Sequence, residues 1–508
     1  NVGGSADKQT IAFSGQFNYQ NTFNKYHNVS AMLIANGYQQ TVSAQYHRIS
    51  NANLALQAGY NYQQRYYADF GAALIHSAKL AKGHRQALSP SVTLGWRLSG
   101  ENFLKDSPVV DDLLLSVSGS ILNQDIDLVM GDNEFYLYES VWTQNDGYAW
   151  YDGPAGKYTI STRGQNNDLS FIKRKEFSVN LKTSLWNRLI TADASFFINS
   201  MEGYLINQPT FYPSHLNTGY PAASFMAVMN YNNNKRVGFD FNINANKRFG
   251  DVDLSLGVAG TYYDTKVTKR DEIYDDAYRY REGKAVDGIW GLQSAGLFWD
   301  KEDIENSPEQ KLGSTVQPGD IKYLDVSGPD GTPDNKITTD DRVIRGNDQP
   351  DLNYFANLSF NYKKWSFEVL FQGVTGVDAY YSAPFSNGLN LRGDGLTPMK
   401  AQLDYWTPEN PGARYPRLTP SPDYGNNHHA SDYWHFDASY CRVKYIQVGY
   451  TFDQMSLKKV GISSIRVYLN AQNPFTFAKE SMIDPENRGQ MGSYPLVKTY
   501  SVGLSLNF

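Results

Sequence analysis

One run of the chain gathers oxygen ligands. Asp325, Asp330, Asp334, Asn335, Asp340 and Asp341 stand close together among glycines and prolines. Clustered carboxylates of this kind suit a hard cation, calcium above all. The spacing departs from the EF-hand pattern, and no Glu closes the loop at the right place. The same residue types also build turns, through Asx geometry and left-handed backbone. A calcium held by Asp325, Asp330, Asp334, Asn335 and Asp340 would be structural, fixing a long loop in one shape. A second set is aromatic: Trp142, Tyr148, Trp150, Tyr151, Trp290, Trp299, Trp406 and Trp434. Such rings can stack on sugar faces, grip a peptide, pack their loops together or meet a partner. From this set Trp142, Trp150, Tyr151, Trp290, Trp299, Trp406 and Trp434 are the expected substrate-binding residues. His428, His429 and His435 form a short tract of metal-ligand type in an ordinary connector.

Catalytic signatures do not emerge. Phosphate-cradling Gly-x-Gly-x-x-Gly and Walker loops are missing, as is His-Glu-x-x-His. The lone Cys441 has no evident activating base, and loop carboxylates give no separation from which to read glycosidase chemistry. The expectation is a protein that is not an enzyme. Composition bounds the class further. Aromatic residues make up 14% of 508, with 37 Tyr, and the net charge is -6. Tyr and Trp join an apolar body to a polar tip and favour membrane-water interfaces. The mild charge supplies no basic patch for nucleic acid. No apolar run reaches the roughly 18 residues of a transmembrane helix, a test that a strand-built membrane protein escapes.

The elements that must carry these side chains alternate with a period of two. Tyr500, Val502, Leu504, Leu506 and Phe508 share one face, and Ser501, Gly503, Ser505 and Asn507 the other. Leu352, Tyr354, Ala356, Leu358, Phe360 and Tyr362 do the same, turn at Lys363-Lys364, and continue as Trp365, Phe367, Val369 and Phe371. Such a pattern makes one apolar and one polar face per strand. A soluble sandwich also alternates. Here, however, the polar face is rich in Asn, Ser, Gln and Gly, as a wet lumen would be, and the strands run to about 10–13 residues. Trp365, Tyr362, Tyr500 and Phe508 read as interface girdle residues. Short turns near 63–65, 187, 250 and 363 alternate with long loops near 123–174, 201–235, 266–350, 374–437 and 474–496. That asymmetry is the mark of an outer-membrane barrel.

About fifteen strands are expected, near 9–20, 27–37, 52–63, 65–77, 88–99, 110–122, 175–185, 188–200, 236–248, 252–265, 351–362, 365–374, 438–452, 462–473 and 496–508. The apolar stretch around Ile289–Gly296 falls in a loop. Single-chain bacterial barrels have even strand numbers. An odd count predicts the second part of a longer barrel, with Phe508 its end and Asn1 not its beginning.

Several segments, in order, resemble the SusC/RagA-like family of TonB-dependent transporters of Bacteroidota. They are Leu88-Ser89-Pro90-Ser91-Val92-Thr93-Leu94-Gly95-Trp96-Arg97 with Glu101-Asn102-Phe103-Leu104, then Pro318-Gly319-Asp320-Ile321-Lys322-Tyr323, then Asp341-Arg342-Val343-Ile344-Arg345-Gly346-Asn347. Phe371-Gln372-Gly373-Val374, Ala438-Ser439-Tyr440-Cys441-Arg442-Val443-Lys444 and Asn470-Ala471-Gln472-Asn473-Pro474-Phe475-Thr476 follow. The ending Tyr494 to Leu504 is the most recognisable. The chain departs from the family pattern after Ala31–Gly37, where the next strand follows sooner, and at Phe171–Lys175.

The resemblance implies an all-β antiparallel transmembrane barrel of 22 strands, with this chain its C-terminal fifteen and the N-terminal plug outside it. It implies active import of an oligomeric nutrient, glycan or peptide, energised through TonB by the missing N-terminal part, at the cell outer membrane. It also implies a SusD-like surface lipoprotein lid, a dimer of transporter-lid pairs, and recognition of Phe508 by the assembly machinery. A passive porin or structural barrel, and a secreted carbohydrate-binding sandwich, are the competing readings.

Overall fold

The computed structural model describes residues 7–43, 48–128, 136–148, 156–207, 209–219, 222–274, 279–328, 330–381, 403–418, 425–452, 462–480, 483–488, 494 and 496–507. Among them, fifteen strands lie in one sheet, each beside the next in chain order. The chain divides into two compact units. The first holds the described residues up to Asp240 with Asp264–Ile273 and Arg281–Gly283; the second holds Phe241–Tyr263, Tyr274–Tyr280 and the described residues from Lys284 onward.

In the first unit the strands include Lys8–Phe23, His27–Val42, Ile49–Tyr62, Tyr66–Ser77, Gln86–Arg97, Val110–Gln124, Ile172–Leu185 and Ile190–Ile206. Their registers line up like with like. Leu54 pairs Leu74, which pairs Leu88, while Phe70 pairs Val92. On the opposite face Asp69, Thr93, Ser118 and Ser178 form one row. Thr93 and Ser118 hydroxyls meet at 2.9 Å, and Ser195 donates to Asn180 at 2.6 Å. One face is therefore a polar wall.

The second unit repeats the logic over the strand pairs Leu352–Tyr362 and Trp365–Thr375, and Tyr440–Phe452, Ser464–Ala478 and Thr499–Asn507. Three apolar rows run across them: Tyr362–Trp365–Tyr450–Val467–Leu504, Phe360–Phe367–Val448–Leu469–Val502, and Leu358–Val369–Ile446–Ala471–Tyr500. Many of these side chains are exposed, Leu469 at 58% and Val502 at 74%. Each such Leu or Val left in water forgoes roughly 1.5–3 kcal/mol of burial. A whole face of them is stable only where the solvent is hydrocarbon.

The two ends of the strands differ. At one end the turns are short and left-handed: Asn24 and Lys25, Gln63 and Gln64, Trp186 to Arg188, Gly250 and Lys363 all have positive φ. The Trp186–Arg188 turn is locked by Asp111, whose carboxylate accepts from the backbone N–H of Asn187 (3.1 Å) and Arg188 (2.8 Å). At the other end lie the long connections. Several strands run further into them than alternation suggests. The strand expected at 236–248 is Met229–Phe249, because Asn230 to Lys235 continue the ladder with polar side chains. The Ile289–Gly296 stretch lies in a long connection, where Gly288–Gly291 pairs with Val343–Asn347.

The buried cores lie in these connections. In the first unit Leu80, Leu128, Leu137, Leu169, Phe171, Ile172 and Val228 pack together. In the second, Leu292, Leu297, Leu312, Ile321, Tyr323, Ile337, Tyr381, Tyr415 and Trp434 do so. Among the described residues no helix is long and apolar enough to cross a membrane, which says nothing of a β-barrel.

Candidate outer-loop binding surface

The loop core of the second unit is organised by buried polar groups. Asp320 is fully buried and accepts from Arg417 Nε (2.7 Å), Asn427 Nδ2 (2.8 Å) and the Gln317 amide (2.8 Å). Gln310 donates to the Ile321 carbonyl (3.0 Å) and accepts from the Tyr323 amide (2.6 Å). Asn426 donates to the same Ile321 carbonyl (2.7 Å), and Asn427 accepts from the Ile321 amide (2.8 Å). Ile321–Tyr323 pairs only with the short, irregular strand Ser294–Leu297, and these side chains complete the hydrogen bonding of its other edge. Tyr381 donates to Glu480, and burial together with that carboxylate pushes its phenol well above the ordinary tyrosine range. Burial likewise raises Tyr433, whose hydroxyl donates to the Arg414 carbonyl.

A second clamp pins residues 483–488 to the wall. The Arg442 side chain is 1% exposed and donates to both oxygens of Asp484 (2.7 and 2.8 Å) and to Glu486 (3.1 Å). Tyr440 also donates to Glu486. Asp484 in turn caps the short turn at Pro485–Asn487 by accepting from the Glu486 amide.

The expected aromatic set is distributed rather than gathered. Trp434 is 1% exposed, within the loop core, and its indole N–H donates to the Asn427 carbonyl at 2.8 Å. Trp406 packs against the same core, its ring against Gly319. Trp290 lies under the Lys284 ammonium at 4.6 Å. Trp299 is 61% exposed, although its neighbour Phe298 is buried. In the first unit Trp142 is 59% exposed and meets the exposed Phe225 edge-on, ring centroids 6.2 Å apart. The strand carrying Trp142 is held through its partner Ser161, whose hydroxyl donates to the Ser224 carbonyl at 2.7 Å. Trp150, Tyr151 and Phe508 lie outside the described residues, as does the side chain of Tyr148.

The Asp-rich loop uses its oxygens locally. Asp325 accepts from the Asn335 amide (2.6 Å), Asp330 from Thr332 (2.7 and 3.1 Å), and Asp334 from the Lys336 amide (3.0 Å). Asn335 has φ 64, and Asp340 is paired with Arg279. Asp341 is fully buried and collects the amides of Val326, Ser327 and Thr338. Burial raises its carboxyl, against the pull of those N–H groups. Among the described residues no three His, Cys, Asp or Glu side chains converge as a cation site. His429 contacts the Leu312 carbonyl at 2.9 Å, and His435 stacks edge-on with Tyr380.

Sequence reasoning passed over the clamps. Asp320 and Arg442 lie within segments that carry the family resemblance, and burial is what distinguishes them there.

No family model matches the chain. Curated relatives do. It is 27% identical over 463 residues to the TonB-dependent receptor SusC of Bacteroides thetaiotaomicron, covering 88% of this chain and 43% of that protein. It is 24% identical over 484 residues to TonB-dependent receptor P3 of Formosa agariphila, covering 89% and 45%. In fold it matches the structure of the RagAB peptide transporter with a TM-score of 0.77 at 18% identity, over 99% of this chain and 56% of that one. The chain is SusC/RagA-like. It is an outer-membrane β-barrel chain, and it spans about half the length of the curated relatives it matches. That half-length coverage is consistent with the C-terminal barrel portion of a SusC/RagA-like protein.

Proposed function

We propose that the whole protein of which this SusC/RagA-like chain is a part imports an oligomeric nutrient, glycan or peptide, across the outer membrane. TonB supplies the energy through a plug-bearing portion, and a SusD-like lipoprotein covers the long-loop end. The reading assigns the short turns to the periplasm and the long loops, near 123–174, 201–235, 266–350, 374–437 and 474–496, to the cell surface. One observation carries it: a wall with one apolar and one polar face, whose long-loop end is built into cored, buried-network lobes that leave aromatic rings outside. Such investment in loop structure suits capture of a large solute better than passive diffusion. Trp142 and Trp299 are the ring faces open to substrate, with Trp290 beside them in kind. Trp406 and Trp434 support the loop core from within. Phe508 is read as the assembly signal, and transporter-lid pairs as dimers. The RagAB match bears that complex's printed cargo, peptide, and SusC is a second relative; the substrate class here is left as glycan or peptide.

The test is native purification from detergent-extracted outer membrane, followed by uptake of labelled oligosaccharides and oligopeptides with and without TonB. Co-purification of a surface lipoprotein and TonB-dependent uptake are expected. Purification of the transporter alone, with uptake unchanged by TonB loss, would overturn the reading in favour of a passive porin.

A further inference from the structure

The apolar face of the second unit is interrupted near its short-turn edge by a hollow of about 360 Å³, lined by Trp365, Val448, Tyr450, Phe452, Val467 and Leu469. Its origin is the size difference along the rows. Trp365 and Tyr450 are followed by Val467, and Phe367 is followed by Val448 and Leu469. The aromatic walls brace one another: Trp365 stands edge-on to Tyr450 at 4.8 Å, and Tyr450 to Phe452 at 4.9 Å. The lining is almost wholly apolar. It lies on the same face as Val502, Leu504 and Leu506, whose exposure requires a hydrocarbon solvent.

A cation stands at the same edge. Lys363 occupies a left-handed turn position, φ 52, and its ammonium lies 5.2 Å over the Tyr362 ring. Tyr362 is the direct ladder partner of Trp365, so the charge sits beside the hollow and on its face. Asp251 lies 3.7 Å from the same ammonium, but both side chains are more than half exposed, so the pair is loosely held. Aromatic girdles and Lys side chains mark the depth at which headgroups meet hydrocarbon.

We propose that this hollow binds one acyl chain of an anionic phospholipid whose phosphate is held by Lys363. A chain seated between braced rings touches protein on several sides, gaining dispersion contacts that a chain against a flat strand face lacks. The flanking cation selects for a negative headgroup, and the face excludes a water-borne occupant. The site is independent of the transport reading.

The experiment is native mass spectrometry of the detergent-solubilised whole protein that carries this chain, titrated with dioleoyl phosphatidylglycerol or dioleoyl phosphatidylcholine. One retained phosphatidylglycerol is expected. Val467→Trp fills the hollow and loses that lipid, whereas Leu256→Trp, elsewhere on the apolar face, keeps it. Lys363→Ala weakens phosphatidylglycerol retention about fivefold, the effect of one lysine near an anionic surface, and leaves phosphatidylcholine unchanged. Heat-modifiable gel migration confirms that each variant is folded, and Leu469→Phe replaces Val467→Trp if the latter is not. Equal retention of both lipids, an unaltered lipid count in the filled variant, or a second copy of the chain in place of lipid would overturn the assignment.

Discussion

Replacing Arg442 with Met should release the turn at 483–488 while leaving the wall intact. Arg442 is the only partner of opposite charge within reach of Asp484 and Glu486 among the ion pairs described, and it is 1% exposed. Removing one partner of a buried ion pair costs about 3–5 kcal/mol, because the other charges stay desolvated. Here Asp484 and Glu486 keep 16% and 23% exposure and can rehydrate, so the lower end applies. At about 1.4 kcal/mol per tenfold, a loss near 3 kcal/mol accelerates local opening roughly 150-fold. Hydrogen exchange reads this at the amides of Glu486, Asn487 and Arg488, which bond to Asp484 and Pro485 within the turn. Arg442→Lys should fall between, since one ammonium nitrogen replaces the two guanidinium nitrogens that reach Asp484 (Nη2) and Glu486 (Nη1) separately. Arg442→Met combined with Asp484→Leu and Glu486→Met should recover much of the protection at positions 487 and 488, whose amides bond to backbone carbonyls, because no buried charge is then stranded. The amide at 486 stays fast, having lost the Asp484 carboxylate. Exchange within threefold of wild type in Arg442→Met would refute the clamp.

Asp320→Ala should unlatch the loop core, since Arg417 and Asn427 lose a buried acceptor; faster proteolysis within 310–323 is the measurement. Trp434→Ala removes a buried indole and should cost about 3–5 kcal/mol of loop stability, whereas Trp142→Ala should leave thermal stability within about 0.5 kcal/mol yet reduce uptake. Equal effects of the two on stability would contradict their assigned burial. Burial holds His435 below the ordinary histidine range, opposed by Asp378 and Asp432 and reinforced by Arg345. Its folded form is therefore neutral, and the unfolded chain binds the proton more readily. The stability it contributes is present above the unfolded value of about 6.5 and declines as pH falls below it. His435→Phe should flatten the pH dependence of proteolysis around 378–380 and 435–437 below that value.

The wall was legible in the sequence because period-two alternation is a local signal. Trp365, Phe367 and Val369 announce their strand without reference to any other segment. Where alternation stops, the reading stopped too: Asn230 to Lys235 form ladder bonds that polar side chains do not advertise. The loops were opaque for a different reason. Whether Trp434 faces solvent or Asn427 depends on residues such as Ile321 and Gln310, more than a hundred positions away, and no periodicity links them. The Asp-rich loop shows the same limit, since its carboxylates face their own backbone amides, a choice set by turn geometry rather than composition.

The placement of apolar groups in the second unit has a practical outcome. Its strands turn Leu469 and Val502 toward hydrocarbon, while Leu292 and Ile321 hide from water inside the loops. One chain is thus folded against two solvents. Urea, which acts from the aqueous side, should dissolve the lobes first and spare the ladder; exchanging a mild detergent for a harsh one should do the reverse. Variation can accordingly reshape the lobes freely, because the wall beneath them answers to a different medium.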